Sequence, residues 1–371
     1  MSGQGEALSL FLELAGIPSP SGDERAVADV VLRYLGGLGL EADEDGSGPA
    51  IGSSMGNIYV DLEPTVSGTP LFFCAHLDTV PPSGPLEPVV DGGVVRNAGG
   101  TILGADNKSA VVAMLEGVRR VLAENRPHAG IELVFTPKEE VGLIGAYAFD
   151  HDRLRAHVGY VYDHAGPVGE IILGAPWSYA MNVTFHGRAA HSGMFPEEGR
   201  SAIQAAAKAI ADLRLGRVDE ETTANVGVIS GGTAGNIVPE WCRFRAEARS
   251  RDERKLNELV QEMLDAFSFA ATAADCEVET ESRKSYVGYR FKRDVDAVQL
   301  AATALERCGY EPSYGFSGGG ADANVFNERG RRCVNLADGM KDIHTPDEHI
   351  AVEDLEAMVD VTLALVDAAR A

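Results

Sequence analysis

Four short apolar runs, Asn57–Leu62, Leu71–Ala75, Ile131–Phe135 and Val158–Tyr162, are each bounded by glycine, proline or acidic residues. Helical stretches such as Ser109–Leu122 separate some of them, and this alternation predicts an α/β sheet covered by helices on both faces. Near the start, Ser21 and Glu24 form a capping-box signature ahead of Ala26, Val27, Val30, Val31 and Tyr34, whose spacing predicts an amphipathic helix. The same style returns at the end, with a helix through Val298–Leu305, a strand at Cys333–Leu336 and a last helix from Val352 to Ala368.

Between these stretches the pattern changes. Strands at Tyr179–Phe185, Asn225–Ile229, Trp241–Arg249 and Glu277–Glu281 and helices at Ala202–Leu213 and Lys255–Ala271 follow the order βαββαβ, the ferredoxin-like motif. In Trp241–Arg249, Cys242, Phe244, Ala246 and Ala248 alternate with Arg243, Arg245, Glu247 and Arg249, so one sheet face is expected to carry the helices and the other to stay open. The fold class expected is therefore a mixed-sheet α/β/α domain, residues 1–176 and 287–371, with an inserted ferredoxin-like domain at 177–286. Unpaired strand edges invite pairing, so the inserted domain is where a homodimer would form.

The net charge of -24 repels the phosphate backbone and anionic lipid, which argues against nucleic acid and membrane partners. No stretch approaches the roughly 20 apolar residues that span a bilayer, and Met1–Leu10 lacks a basic-then-apolar signal pattern, so a cytoplasmic protein is expected. Five cysteines, Cys74, Cys242, Cys276, Cys308 and Cys333, are scattered without a CxxC spacing. That usage indicates neither a disulfide framework nor a thiolate zinc site, and each cysteine reads as a small buried apolar residue.

The chemistry gathers at strand ends. Leu71–Ala75 runs into His76-Leu-Asp78, Ile131–Phe135 into Glu139-Glu140, and Val158–Tyr162 into Asp163. Ligands of open α/β sheets bind beyond the carboxyl ends of the strands, so these groups are placed to share one crevice. Asp106 precedes the Ser109 helix, and His344 follows the C-terminal strand. His164, next to Asp163, points to the opposite face of its strand and is set aside.

Seven motifs in order, His76-Leu-Asp78-Thr-Val-Pro-Pro, Gly104-Ala-Asp106-Asn-Lys, Glu139-Glu140-Val-Gly-Leu-Ile-Gly-Ala, Asp163, Gly187-Arg-Ala-Ala-His191-Ser-Gly, Gly232-Thr-Ala-Gly-Asn236-Ile-Val-Pro and His344-Thr-Pro, resemble the M20 family of dizinc metallopeptidases. Ser-Gly-Gly-Gly-Ala-Asp-Ala-Asn at 317–324 is most similar to the peptidase T-like, tripeptide aminopeptidase subgroup.

The resemblance implies that Asp106 bridges two metals, that His76 and Asp163 complete one site, and that Glu140 and His344 complete the other. Two divalent cations facing Asp106, Glu140, Asp163 and one bridging hydroxide sum to neutrality. Nitrogen and carboxylate donors without thiolates suit zinc, with manganese or cobalt as alternatives. Asp78 is expected to hydrogen-bond the His76 ring, and Glu139 to act as general base. Lys138 beside it is expected to lower the pKa of Glu139. His191 is implied as an oxyanion donor reaching the partner subunit's active site, with Asn236 and Arg249 holding substrate. The inserted domain would then act as a lid as well as a dimerisation element.

The implied function is metal-dependent hydrolysis of the N-terminal peptide bond of short peptides. The alternatives are an aminoacylase, another deacylase or a carboxypeptidase on the same metals, or a non-catalytic metal-dependent binding protein.

Overall fold

Phe72 and Phe73 are neighbours in the strand Leu71–His76 and face opposite ways, as successive strand residues must. Phe72 packs on Phe326 with ring centroids 4.8 Å apart, whereas Phe73 meets Tyr160 at 6.0 Å and Tyr162 at 6.3 Å. All six residues of the strand are buried, so both faces of the sheet are covered. On the Phe326 side lies the helix Asp322–Glu328. On the Phe73 side the helices Glu6–Ala15, Ala105–Ala123, Asp296–Arg307 and Val352–Ala368 contribute to one apolar cluster that includes Phe73 and both tyrosines. Each such ring or large aliphatic side chain withdrawn from water contributes about 1.5–3 kcal/mol.

The computed structural model describes residues 5–371. From edge to edge its larger sheet runs Ala42–Glu44, Ile58–Leu62, Ile131–Thr136, Leu71–His76, Val158–Val161, Arg332–Leu336, Glu170–Ile172 and Ser313–Gly315. The central strands from Ile131–Thr136 to Arg332–Leu336 are parallel to one another, while Ile58–Leu62 and Glu170–Ile172 add antiparallel pairings. The sheet is thus mixed, with helices on both faces.

The chain forms two compact units, one built from the chain up to Ala175 together with Arg290–Ala371, the other from Pro176–Tyr289. The second unit has its own sheet and core. Its strands Thr222–Gly231, Trp241–Ser250, Trp177–His186 and Glu277–Tyr286 lie in that spatial order, each antiparallel to its neighbour, as a βαββαβ chain requires. Cys242, Phe244, Ala246 and Ala248 are buried against the helices Ala202–Asp212 and Glu253–Ala273, while Arg243 and Arg245 are exposed. Both helices start on a side-chain cap: Ser201 accepts from the Gln204 N–H, and Asp252 from the N–H groups of Arg254 and Lys255.

Two local expectations are corrected. The helix Arg25–Gly37 is not started by a capping box. Glu24 turns its carboxylate to the Gly22 N–H and the Ser53 hydroxyl, and the Ser21 hydroxyl donates to Asp78 Oδ2 at 2.6 Å. Tertiary partners have taken both polar groups away from the helix end. Of the cysteines, Cys74, Cys242 and Cys333 are buried, but Cys276 and Cys308 are only half-buried; all five are free thiols. No helix among the described residues is long and apolar enough to cross a membrane.

Candidate metal centre

Three neighbouring parallel strands deliver their ends to one place. His76 closes Leu71–His76, Glu139 and Glu140 follow Ile131–Thr136, and Asp163 follows Val158–Val161. Asp106 arrives from the non-helical first residues of Ala105–Ala123, where the Asp106–Asn107 peptide is cis. His344 comes from the loop that precedes the strand His349–Ala351.

Asp106 stands between two imidazoles. Its Oδ1 is 3.1 Å from His76 Nε2 and its Oδ2 is 3.2 Å from His344 Nε2, which is also 3.0 Å from Glu140 Oε1. Donor atoms of His76, Asp106 and Glu140 all lie within 4.8 Å of one another. Zinc bonds of about 2.0–2.1 Å at tetrahedral angles hold neighbouring ligand atoms about 3.3 Å apart. The observed spacings therefore fit shared coordination spheres, and a carboxylate that gives one oxygen to each imidazole has the shape of a bridging ligand.

The electrostatics point the same way. Burial alone would raise the Asp106 carboxyl, but hydrogen bonds from His344 and His76 hold it well below the usual range. Burial opposes protonation of His76, yet its bonds to Asp106 and Asp78 push it well up. His344 is pushed up to about 10 by Asp106 and then Glu140. Asp163 is driven well up by burial and then by the charge of Asp106. Carboxyls crowded into so little water are stabilised by nearby positive charge, supplied here by the two imidazoles and, in a loaded site, by divalent cations.

Asp78 organises the backbone around the cluster. Its Oδ1 accepts the Glu139 N–H at 2.9 Å, and its Oδ2 accepts the Glu140 N–H at 3.2 Å and the Ser21 hydroxyl. The His76 ring is tethered mainly by the Asp78 carbonyl, 2.9 Å from Nδ1, with the carboxylate at 3.4 Å. A partner on Nδ1 leaves Nε2 facing Asp106.

Glu139 is buried, and burial pushes its carboxyl well up, with His76 opposing and Asp163, Asp322 and Glu140 adding to the rise. The expected lowering by Lys138 does not occur. Lys138, at φ +57°, sends its ammonium to the carbonyls of Ile51 and Gly52. His164 is half-buried, and burial lowers its pKa against the charge of Glu170.

Several supporting residues are given no role by the sequence, although Asn107 and Asp322 lie inside its motifs. Asn335 clamps Asp163 by accepting its N–H and donating to its carbonyl, and Asn107 donates to the Tyr162 carbonyl. Buried Asp322 accepts from Thr136 and Cys74. Buried Glu348 accepts from the loop that leads into Asp106. Each is a polar residue whose partner is far away in sequence, so no local spacing signals it.

His191, Asn236 and Arg249 belong to the second unit. There His191 and Asn236 come together: His191 bridges Ile237, and the Ser192 N–H donates to the Asn236 carbonyl at 3.0 Å. Both side chains are exposed. Arg249 donates to Glu247 Oε2 at 2.8 Å, while its buried Nε has no hydrogen-bond partner.

Carboxylates and imidazoles at the carboxyl ends of parallel strands, with a buried glutamate beside them, define a metal-dependent hydrolase. The chain belongs to peptidase family M20/M25/M40, whose profile matches residues 72–368. It is 39% identical over 362 residues to the uncharacterized protein YqjE of Bacillus subtilis, covering 98% of both chains. The aminopeptidase PepT of Bacillus cereus superposes with a TM-score of 0.89 at 38% identity, covering 99% of this chain and 98% of that one. A tripeptidase of Staphylococcus aureus superposes with a TM-score of 0.93 at 34% identity, covering 98% of this chain and 97% of that one.

Proposed function

We propose that this metallopeptidase is a tripeptidase-like aminopeptidase, cleaving the N-terminal peptide bond of short peptides. The observation that carries the reading is the single carboxylate of Asp106 set between His76 and His344, with Glu139 buried alongside. Similarity over nearly the full length to an aminopeptidase and a tripeptidase supports the substrate class.

In this reading His76 and Asp163 hold one divalent cation, Glu140 and His344 hold the other, and Asp106 bridges them. Zinc suits the donors, and manganese and cobalt are the alternatives. When bound, the two cations acidify water and polarise the scissile carbonyl. Glu139, buried beside the cluster, takes a proton from the attacking water and passes it to the departing amine. Asp78 fixes the backbone of Glu139 and Glu140 and the His76 ring.

The second unit supplies the remaining roles. Arg249 grips the peptide carboxylate, Asn236 holds the substrate backbone, and His191 of the partner subunit donates to the oxyanion. The unit serves as lid and dimerisation element, the second role being supported by the strand Thr222–Gly231. Its outer neighbour Gly216–Arg217 pairs only with Thr223 and Ala224, and Val228 and Ile229 are exposed beyond that pairing. Five free thiols fit a cytoplasmic location.

Hydrolysis of a free tripeptide, its N-acetylated form and its C-amidated form, by chelator-stripped protein given zinc, manganese or cobalt, tests this. Metal-restored cleavage abolished by N-acetylation is expected. Preference for the N-acetylated peptide would replace it with a deacylase or carboxypeptidase, and no cleavage under any metal would sink it.

A further inference from the structure

His344 is the most exposed member of the cluster, with a side chain 44% exposed, and its backbone sits at φ +65°, in the left-handed region that residues with a side chain seldom adopt. Its loop is closed at the base by an antiparallel bridge between Lys341 and His349, with N–H to carbonyl distances of 2.9 and 3.1 Å. Within the loop, Thr345 donates its hydroxyl to the Asp342 carbonyl, and the Glu348 N–H donates to the Thr345 carbonyl. A ligand on such a turn is only as well placed as the base of the turn.

Glu348 lies at that base, 2% exposed, and its carboxylate leaves the loop altogether. Oε2 accepts the N–H groups of Leu103 at 2.7 Å and Gly104 at 2.8 Å, and Oε1 accepts the N–H of Asp106 at 3.1 Å. One side chain thus joins the turn bearing His344 to the segment bearing Asp106. Buried Lys108 is nearby, but its Nζ donates to the Ile17 carbonyl and burial pushes it down to about 7 against the charge of Glu348.

We propose that Glu348 is a positioning residue that sets the distance between the bridging Asp106 and His344. The inference rests on the metal-centre reading above. A glutamine there keeps the shape but turns an NH2 group toward a backbone N–H, so at least one of the three contacts becomes a repulsion. Loss of such outer contacts to metal ligands typically lowers affinity or activity about 10–100-fold.

The test compares Glu348→Gln with Glu132→Gln. Glu132 is also a buried carboxylate of the first unit that accepts backbone N–H groups, those of Arg155 and Ala156, together with the Tyr59 hydroxyl. It has no part in the metal centre, so it reports the purely structural effect of the same substitution. Zinc affinity is measured by competition with a chromogenic chelator, alongside kcat, KM and melting temperature.

For Glu348→Gln, zinc affinity and kcat are expected to fall about 10–100-fold with KM changing by less than about threefold; Glu132→Gln should lower the melting temperature and leave zinc affinity as it was. Glu348→Asp keeps an acceptor-only carboxylate on a shorter stem and should fall between. If the glutamine variant does not fold, zinc affinity of the aspartate variant decides the question by the same comparison. Unchanged zinc affinity in the Glu348 variants, or an equal loss in Glu132→Gln, overturns the inference. A wild-type protein that binds no zinc in the competition overturns the metal reading itself, an outcome read before any variant is made.

Discussion

Asp78 accepts the backbone N–H of Glu139 at 2.9 Å through the carboxylate that also takes the N–H of Glu140. Three chain segments, the one bearing Ser21, the loop after His76 and the turn bearing both glutamates, therefore meet on one buried side chain. Asp78→Asn places an amide donor against at least one of these donors. Turnover at saturating metal should fall about 10–100-fold, measured as kcat on a free tripeptide. An unchanged kcat would show that the two N–H contacts do not matter to the chemistry.

Glu139→Gln keeps the size of the side chain and removes its capacity to carry a proton. Turnover should drop by at least about 100-fold while metal content by atomic emission stays near wild type. Activity that survives the change would assign the base elsewhere.

His344→Ala removes a proposed ligand and leaves His76, Asp106 and Asp163 in place. Metal content should fall at one of the two sites after dialysis against a weak chelator. Retention of both ions under those conditions would remove His344 from the ligand set.

Asp338 gives a pH signature separate from turnover. It is buried, accepts from the Ser109 hydroxyl at 2.6 Å, and is pushed up to about 7 by burial, with that hydrogen bond opposing. Between an unfolded value of 3.8 and a folded value of about 7 the native state binds the extra proton. Its contribution to stability is therefore whole below the unfolded value and is lost as pH rises through the folded one. Relative to Asp338→Asn, wild type should lose up to about 1.4 kcal/mol per pH unit across that window, followed by urea denaturation at pH 5 and pH 8. Parallel stability curves for the two proteins would contradict the shift.

The parts of this structure legible in the sequence are those that depend on short-range pattern. Leu71–Ala75 and Ile131–Phe135 read as strands because unbroken apolar runs suit strands covered on both faces, and His76 and Glu139 stand out because they lie where those runs stop. Trp241–Arg249 shows its covered face through strict alternation. The rest depends on contacts across the chain. Ser21 and Glu24 obey the local rule for a helix start, but the Ser21 partner is 57 positions away, and the tertiary bond wins. Glu348 and Asp338 look like solvated loop acids until the fold brings Leu103 and Ser109 to them. Lys138 misleads for the same reason, since proximity in sequence says nothing of where a long side chain points.

The strand Arg332–Leu336 sits inside the larger sheet, between Val158–Val161 and Glu170–Ile172, although the whole second unit separates them from it in sequence. During synthesis the ribosome delivers both flanking strands, then the contiguous Pro176–Tyr289 unit, and only later the piece that fills the gap. A nascent chain can thus finish the core of the second unit while the first still lacks an inner strand. His344 emerges later still. A metal centre that needs His344 can in this way be loaded only after the second unit has been made, and a product truncated between the two would lack both the strand and the proposed ligand.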